Sequence, residues 1–426
     1  MASTGLSSSV PEADAASEGA DIVVGVASYN SEATVAGVVR AVRDGLDRHF
    51  AGVPACIVLA DGGSTDRTLE LTRGTVTGGC DLVTTAYQHP IGEPLREPYH
   101  GLVGRSEAVR TILQAAQQRE AKVCVIVDAG LTLLQPEWVQ RLVDPILREH
   151  FDYASAHYLR HPYEGALTKS IVYPVFRALW GVRLRQPATG EFGCSARLVR
   201  QELEQGFWGA EGAETGVDLW LATAAANDGH RICEAALGVR AQAPRAGGAD
   251  VSSTLVQVVG ALFADVEGRA DAWQRVRGSE AVPVFGELPG NGAPALEVNV
   301  TELVESFRLG YQALRDIWAW ILPPKVILYL KRLADTSDRQ FRIDDDIWAR
   351  IVYDFALGYR LRTMPRDHLL GSLTPLYLGW LASYILELGD PTAAGAEQRI
   401  DRLADTFERE KPYLISRWRW PDRFRS

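Results

Sequence analysis

The first half of the chain alternates two hydrophobic rhythms. Unbroken apolar runs, "DIVVGVAS" (21–28), "ACIVLAD" (55–61) and "AKVCVIVD" (121–128), have the length and β-branched content of buried strands. Between them, "EATVAGVVRAVRDGLDRHF" (32–50) and "SEAVRTILQAAQQR" (106–119) carry apolar residues at helical spacing. Alternating strand and helix in this order predicts a parallel sheet with helices on both faces. Ligands of such folds gather beyond the C-terminal strand ends. Asp61 and Asp128 stand at two such ends, and Ser28, Tyr29 and Asn30 at a third.

Past residue 250 the rhythm changes. "STLVQVVGALFADVEGRADAWQRVR" (253–277) reads as helix and "GSEAVPVFGELPGNGAPA" (278–295) as a Pro/Gly-rich connection. From Val298 onward nearly everything is amphipathic helix rich in Leu, Trp, Tyr and Arg. Three parts are expected: a small, polar, acidic tail over 1–20, an α/β domain over 21–250, and a helical domain over 251–426. The helical part would close over an acceptor, form a homo-oligomer interface, or do both. "LLGSLTPLYLGWLASYILE" (369–387) is apolar, but Pro375, Gly371, Gly379 and its hydroxyls favour a buried helix over a membrane span.

Composition narrows the partners. Net charge is -10 over 426 residues, so nucleic acid, which needs clustered Lys and Arg, is a poor partner. The first residues lack the basic start and apolar stretch of a signal peptide, and five cysteines at unrelated spacings suit a reduced, cytoplasmic setting.

Four stretches carry chemistry. "ASYNSE" (27–32) ends the first strand in groups able to meet a base and ribose, although a helix cap uses the same residues. "ADGGSTDRT" (60–68) puts Asp61 at the sheet rim, where it could accept a ring N–H, beside glycines that permit close approach; Ser64 and Asp66 could cap the following helix. "GLVGRSEAVRT" (101–111) combines glycines, Arg105 and a helix start, a combination suited to a diphosphate. "VIVDAGL" (125–131) places one acid, Asp128, at a strand end where a second acid would complete a metal site; Gly130 stands there instead.

In this order the four stretches resemble nucleotide-sugar-dependent glycosyltransferases of the GT-A type, over roughly residues 21–240. The segment "YLRHPYEGALTKSIVYPVFRALWGVRLRQPATGEFGCSARLV" (158–199), followed by "ETGVDLWLATAA" (214–225), is similar to the retaining mannosylglycerate synthases and, more distantly, the glucosyl-3-phosphoglycerate synthases. The resemblance implies a Rossmann-like mixed sheet followed by a mostly helical domain. It implies a cytoplasmic, retaining hexosyltransferase acting on a small hydroxy acid such as glycerate, as in the making of compatible solutes. A UDP- or GDP-hexose would be its donor, and Mg or Mn a possible cofactor. By residue, it implies donor contacts from Ala27, Ser28, Tyr29, Glu32, Asp61, Arg105, Asp128 and Ala129. Acceptor contacts would come from Arg160, Thr168, Gln186, Pro187 and Gly190. Catalytic roles would fall to Asp128, Glu191 and Asp218.

The chain departs from that pattern twice. Gly130 replaces the second acid, and the expected His near Gln242 or Pro244 is missing. Three outcomes stay open: transfer without a tightly held metal, with Arg105 and Arg245 supplying the charge; Mg or Mn held weakly through Asp128, water and the diphosphate; or a catalytically impaired nucleotide-sugar-binding protein. An inverting transferase acting on a lipid or glycan, with Asp218 as base, is a further alternative.

Overall fold

The structure, a computed structural model, describes residues 19–75, 81–87, 102, 104–205, 208, 213–241, 251–288, 298–389 and 392–421. Most of the tail expected over 1–20 therefore lies outside the described residues, as do Gln242, Pro244 and Arg245.

The strands are β1 (Ile22–Ser28), β2 (Ala55–Asp61), β3 (Asp81–Ala86), β4 (Val123–Asp128), β5 (Tyr153–Leu159), β6 (Val182–Arg183), β7 (Phe192–Ser195), β8 (Ile232–Val239), β9 (Glu280–Ala281) and β10 (Val284–Phe285). The helices of the first half are α1 (Val35–His49), α2 (Thr68–Arg73), α3 (Arg105–Gln118), α4 (Pro136–Leu147), α5 (Tyr173–Trp180), α6 (Ala196–Glu204) and α7 (Ala213–Asn227). Those beyond are α8 (Val251–Gly268), α9 (Ala270–Trp273), α10 (Val300–Trp318), α11 (Pro324–Ala334), α12 (Asp345–Leu361), α13 (Arg366–Leu388) and α14 (Ala393–Arg419).

One eight-stranded sheet runs in the order β10-β8-β5-β7-β4-β1-β2-β3. All its pairings are parallel except those of β7, which runs antiparallel between β4 and β5. The sheet is thus mixed, as the resemblance implies, where hydrophobic rhythm alone predicts a parallel one. Four residues, "FGCS", are too few to announce a direction, which follows from the path of the preceding loop. β10 is a second departure: it comes from the Pro/Gly-rich connection and adds to the sheet edge beside β8. Backbone pairing to an edge leaves no mark in composition.

The unbroken apolar runs are explained by burial on two faces. Val23, Ala27, Val58 and Ala60 join the core beneath α3, whereas Val24, Val26, Ile57 and Leu59 join the core beneath α1 and α4. The first of these cores continues into the helical half. Specific polar contacts fasten the halves together. Trp348 Nε1 donates to the Ser170 carbonyl at 2.9 Å, and Lys411 Nζ donates to the carbonyls of Ala178 at 2.8 Å and Val276 at 3.0 Å. Arg177 binds Glu408 at 2.6 Å and also Asp405. Among the described residues α13 is long and apolar enough to cross a membrane by length and composition, but 67% of its apolar window is buried, against α8, α10 and α12. Gly310 allows that packing, since a Cβ there would fall 2.2 Å from Cβ of Pro375 in α13.

Candidate functional site

Strand register assembles the site. Ser28 aligns with Asp61 and Ala27 with Asp128, so β1, β2 and β4 end on one rim. β5 and β8 run the same way, because the antiparallel β7 restores direction between β4 and β5. Arg160 and Arg240 therefore leave the sheet on that rim too, and Gly190 and Glu191 enter β7 from it. Open sheets with parallel strands bind ligands on this side.

The loops after β1 and β2 are stitched together. Asn30 N–H donates to Ser64 Oγ at 2.8 Å, Thr65 N–H to Asn30 Oδ1 at 2.9 Å, and Ser31 N–H to Thr68 Oγ1 at 2.7 Å. Glu32 N–H donates to Asp66 Oδ2 at 3.0 Å, and Glu32 Oε2 accepts from Arg67 N–H at 3.2 Å. Asp66 Oδ1 caps the Thr68 N–H at 3.0 Å, whereas Ser64, expected as a cap, donates to Asp61 Oδ1 at 2.6 Å. Against the opposing effect of burial, these donors hold the Asp66 carboxyl below the usual carboxylate range. Asp61 is 2% exposed. It accepts from Ser28 Oγ at 2.9 Å and from the N–H groups of Gly63 at 3.0 Å and Ser64 at 2.8 Å. Glu32 and Asp61 thus spend much of their acceptor capacity shaping the rim. Tyr29 is half-buried beside them. Ala27 and Ala129 are buried and act through backbone: Ala129 N–H donates to the Ala27 carbonyl at 3.0 Å, and the Ala129 carbonyl accepts from Thr34 Oγ1 at 2.6 Å.

Deeper in, two arginine–carboxylate pairs form a buried network. Arg105, 2% exposed, donates Nε to Asp218 Oδ2 at 2.8 Å and Nη2 to Asp218 Oδ1 at 2.9 Å, and also binds the Gly190 carbonyl. The sequence suggests Arg105 as a cation for a diphosphate; in the structure it pairs with Asp218, and among the described residues its buried Nη1 has no partner. Gly190 has φ 91, a backbone state natural for glycine, which turns that carbonyl toward Arg105. Arg240 grips Glu191 in the same bidentate way, Nε to Oε2 at 3.1 Å and Nη2 to Oε1 at 2.9 Å. Tyr158 Oη donates to Glu191 Oε2 at 2.9 Å, and Glu191 has no exposed surface. Burial alone would pull both guanidinium pKa values down, but Asp218 and Glu191 respectively hold them above the ordinary value. Burial, then the Glu191 charge, pushes the Tyr158 hydroxyl well up.

Three of the five acceptor residues expected from the resemblance converge elsewhere on the rim; Gly190 lies instead against Arg105. Arg160, Thr168 and Gln186 line one small cleft with His157, Lys169 and Arg185, and Glu397 and Ile400 of α14 form its far wall. Among the described residues Arg160 Nε is buried without a partner. Lys169 Nζ donates to the carbonyls of His161 at 3.0 Å and Pro162 at 2.9 Å. Burial pushes its pKa down to about 8, only partly offset by Glu397. Arg185 is held by Asp401 at 2.7 Å. Gln186 spends its amide on the Tyr158 carbonyl at 2.8 Å, and Pro187 is buried beside it. The loop 186–191 thus runs from this cleft to the charge network.

Sequence reasoning passed over Arg240, Lys169, Arg185 and Tyr158. Arg240 had a weaker sign: like Asp61 and Asp128, it is a charged residue at the end of a mostly apolar run, "ICEAALGVR", which Glu234 interrupts. Lys169 and Arg185 had none, because only the docking of α14 makes a cleft of them.

The resemblance implies a divalent ion at Asp128. Such an ion needs about six oxygen ligands. Among the described residues no three His, Cys, Asp or Glu gather to hold one. Asp128 Oδ1 accepts the Gly130 N–H at 2.8 Å, and Oδ2 lies 3.9 Å from Arg240 Nη2. The described residues do not fit a protein-held metal.

No family model and no curated protein matches the chain. Among solved structures, it is similar to glucosyl-3-phosphoglycerate synthase from Mycobacterium tuberculosis in complex with Mn2+, uridine diphosphate and phosphoglyceric acid. The identity is 22%, 58% of this chain and 78% of that chain are covered, and the TM-score is 0.42. The same enzyme with Mg2+ and uridine diphosphate matches at 22% identity, 58% and 79% coverage and TM-score 0.43. Its complex with Mn2+, UDP-glucose and glycerol 3-phosphate matches at 23% identity, 58% and 80% coverage and TM-score 0.39.

Proposed function

We propose that the protein is a glycosyltransferase that moves a hexose from a nucleoside diphosphate sugar to a small hydroxy acid, with retention at the anomeric carbon. The observation that carries this reading is a single loop, 186–191, joining two unlike sites on the sheet rim. One end reaches a cleft lined by Arg160, Lys169 and Thr168, the other the buried pairs beside Asp128. A cleft with an unpartnered Arg160 Nε and a cationic Lys169 suits a carboxylate. The stitched loops after β1 and β2 suit a nucleoside, with Ser28, Tyr29 and Asp61 along their inner edge.

Where the carboxylates are spent supports retention. Inversion would need an acid free to take the acceptor proton on the face opposite the leaving group. Asp218 is bound on both oxygens by Arg105, and Glu191 is bound by Arg240 and has no exposed surface. Same-face transfer needs no such base. The bond from the anomeric carbon to the diphosphate oxygen breaks, the bond to the acceptor oxygen forms on that face, and the acceptor proton passes to the departing phosphate oxygen. Oriented donors at the diphosphate stabilise its growing charge.

The test is turnover of UDP- and GDP-hexoses with glycerate and phosphoglycerate, read as nucleoside diphosphate release and glycoside mass. Arg160→Ala should raise the acceptor KM at least about tenfold and leave donor affinity unchanged, the loss of one charge-assisted pair. Nucleotide binding without turnover on any acceptor would instead make the protein a binder.

A further inference from the structure

We infer that Arg240, held by Glu191 against Asp128, supplies the positive charge that a donor diphosphate would otherwise take from a divalent ion. The inference rests on the nucleotide-sugar reading of the rim and adds how that rim handles charge.

Three observations converge on Arg240. The first is position. It follows β8 directly, at the same rim as Asp128, with Nη2 3.9 Å from Asp128 Oδ2. That separation is an ion pair but too long for a hydrogen bond, so the contact consumes no N–H. The second is spare capacity. A guanidinium has five N–H donors. Glu191 takes one from Nε and one from Nη2, and among the described residues no acceptor takes Nη1. The Arg240 side chain keeps 14% exposure, against 2% for Arg105, so a ligand can reach it where Arg105 is sealed in. The third is charge balance. A divalent ion offsets two carboxylates; here Arg240 offsets Glu191, and Asp128 keeps its charge. Gly130 removes the second acid, and its N–H caps Asp128 Oδ1 instead. An acid lost and an arginine placed beside Asp128 leave a diphosphate facing one uncompensated carboxylate instead of two, with a guanidinium within reach.

Glu191 and Tyr158 then have a defined task. Glu191 accepts from Tyr158 Oη and from one edge of Arg240, which fixes the guanidinium plane and presents its other edge. Glu191 acts through Arg240, as a positioning residue.

The experiment is calorimetric titration of UDP and GDP into the full chain, with Mn2+ and with EDTA. The preferred nucleotide should bind with less than about a threefold change on chelation. Arg240→Lys keeps the charge but loses the fork, and should weaken binding at least about tenfold in EDTA while leaving the far-ultraviolet spectrum near wild type. Gly130 has no left-handed backbone, and Gly130→Asp with Arg240→Lys should restore affinity only when Mn2+ is present. Wild-type binding that vanishes in EDTA, or an Arg240→Lys variant that binds normally, overturns the inference and leaves the nucleotide site standing. Failure of both nucleotides under every condition overturns the reading on which it rests. The wild-type chelation arm decides the matter even if the variants do not fold.

Discussion

Replacing Arg105 by Met tests whether the Arg105–Asp218 pair holds the site together. Met fills similar volume without charge or donors. It strips Asp218 of both its guanidinium bonds, at 2.8 and 2.9 Å, and the Gly190 carbonyl of a third. Asp218 is 2% exposed and cannot turn to water. A buried carboxylate left without its cation costs about 3–5 kcal/mol. The pair itself contributes far less, since desolvation of both charges offsets most of their attraction. Arg105→Met with Asp218→Leu should therefore recover most of the loss, with a coupling energy on the order of 2–3 kcal/mol. Urea unfolding followed by fluorescence of the eleven tryptophans gives both values. A single variant within about 1 kcal/mol of wild type, or a double variant no more stable than the single, would refute the reasoning.

Two pH dependences follow from burial. Lys169 is pushed down to about 8, so it loses its proton as pH rises through that value, and the acceptor KM should climb above about pH 8 in wild type but stay flat in Lys169→Met. Glu202 has no exposed surface, neither of its oxygens has a hydrogen-bond partner among the described residues, and burial pushes its pKa up to about 8. A raised carboxyl pKa means the folded state binds the proton more tightly, so stability from this group is present below the ordinary carboxyl value and is lost as pH rises toward 8. Glu202→Gln should raise Tm at pH 8 and change it little at pH 5; an equal shift at both would place the effect outside titration.

How much of this was legible in the sequence differs residue by residue. Asp61 and Asp128 were found because a charged group at the end of an unbroken apolar run must emerge at a sheet rim, whatever the tertiary detail. The helical second half was equally plain, since its period is local. β7 and β10 were not, because strand direction and edge pairing are backbone matters that four or two residues do not encode locally. Arg160, Thr168 and Gln186 came from resemblance, and only the fold brings them into one cleft. The sequence by itself determined which residues carry charge and that three strands end in chemistry. Tertiary structure decided which of those charges are spent. Arg105 is answered by Asp218 from a helix 113 residues away. Arg240, at the end of its own strand, keeps N–H groups to offer. Pairing depends on distances across the rim, and those arise only when the strands align.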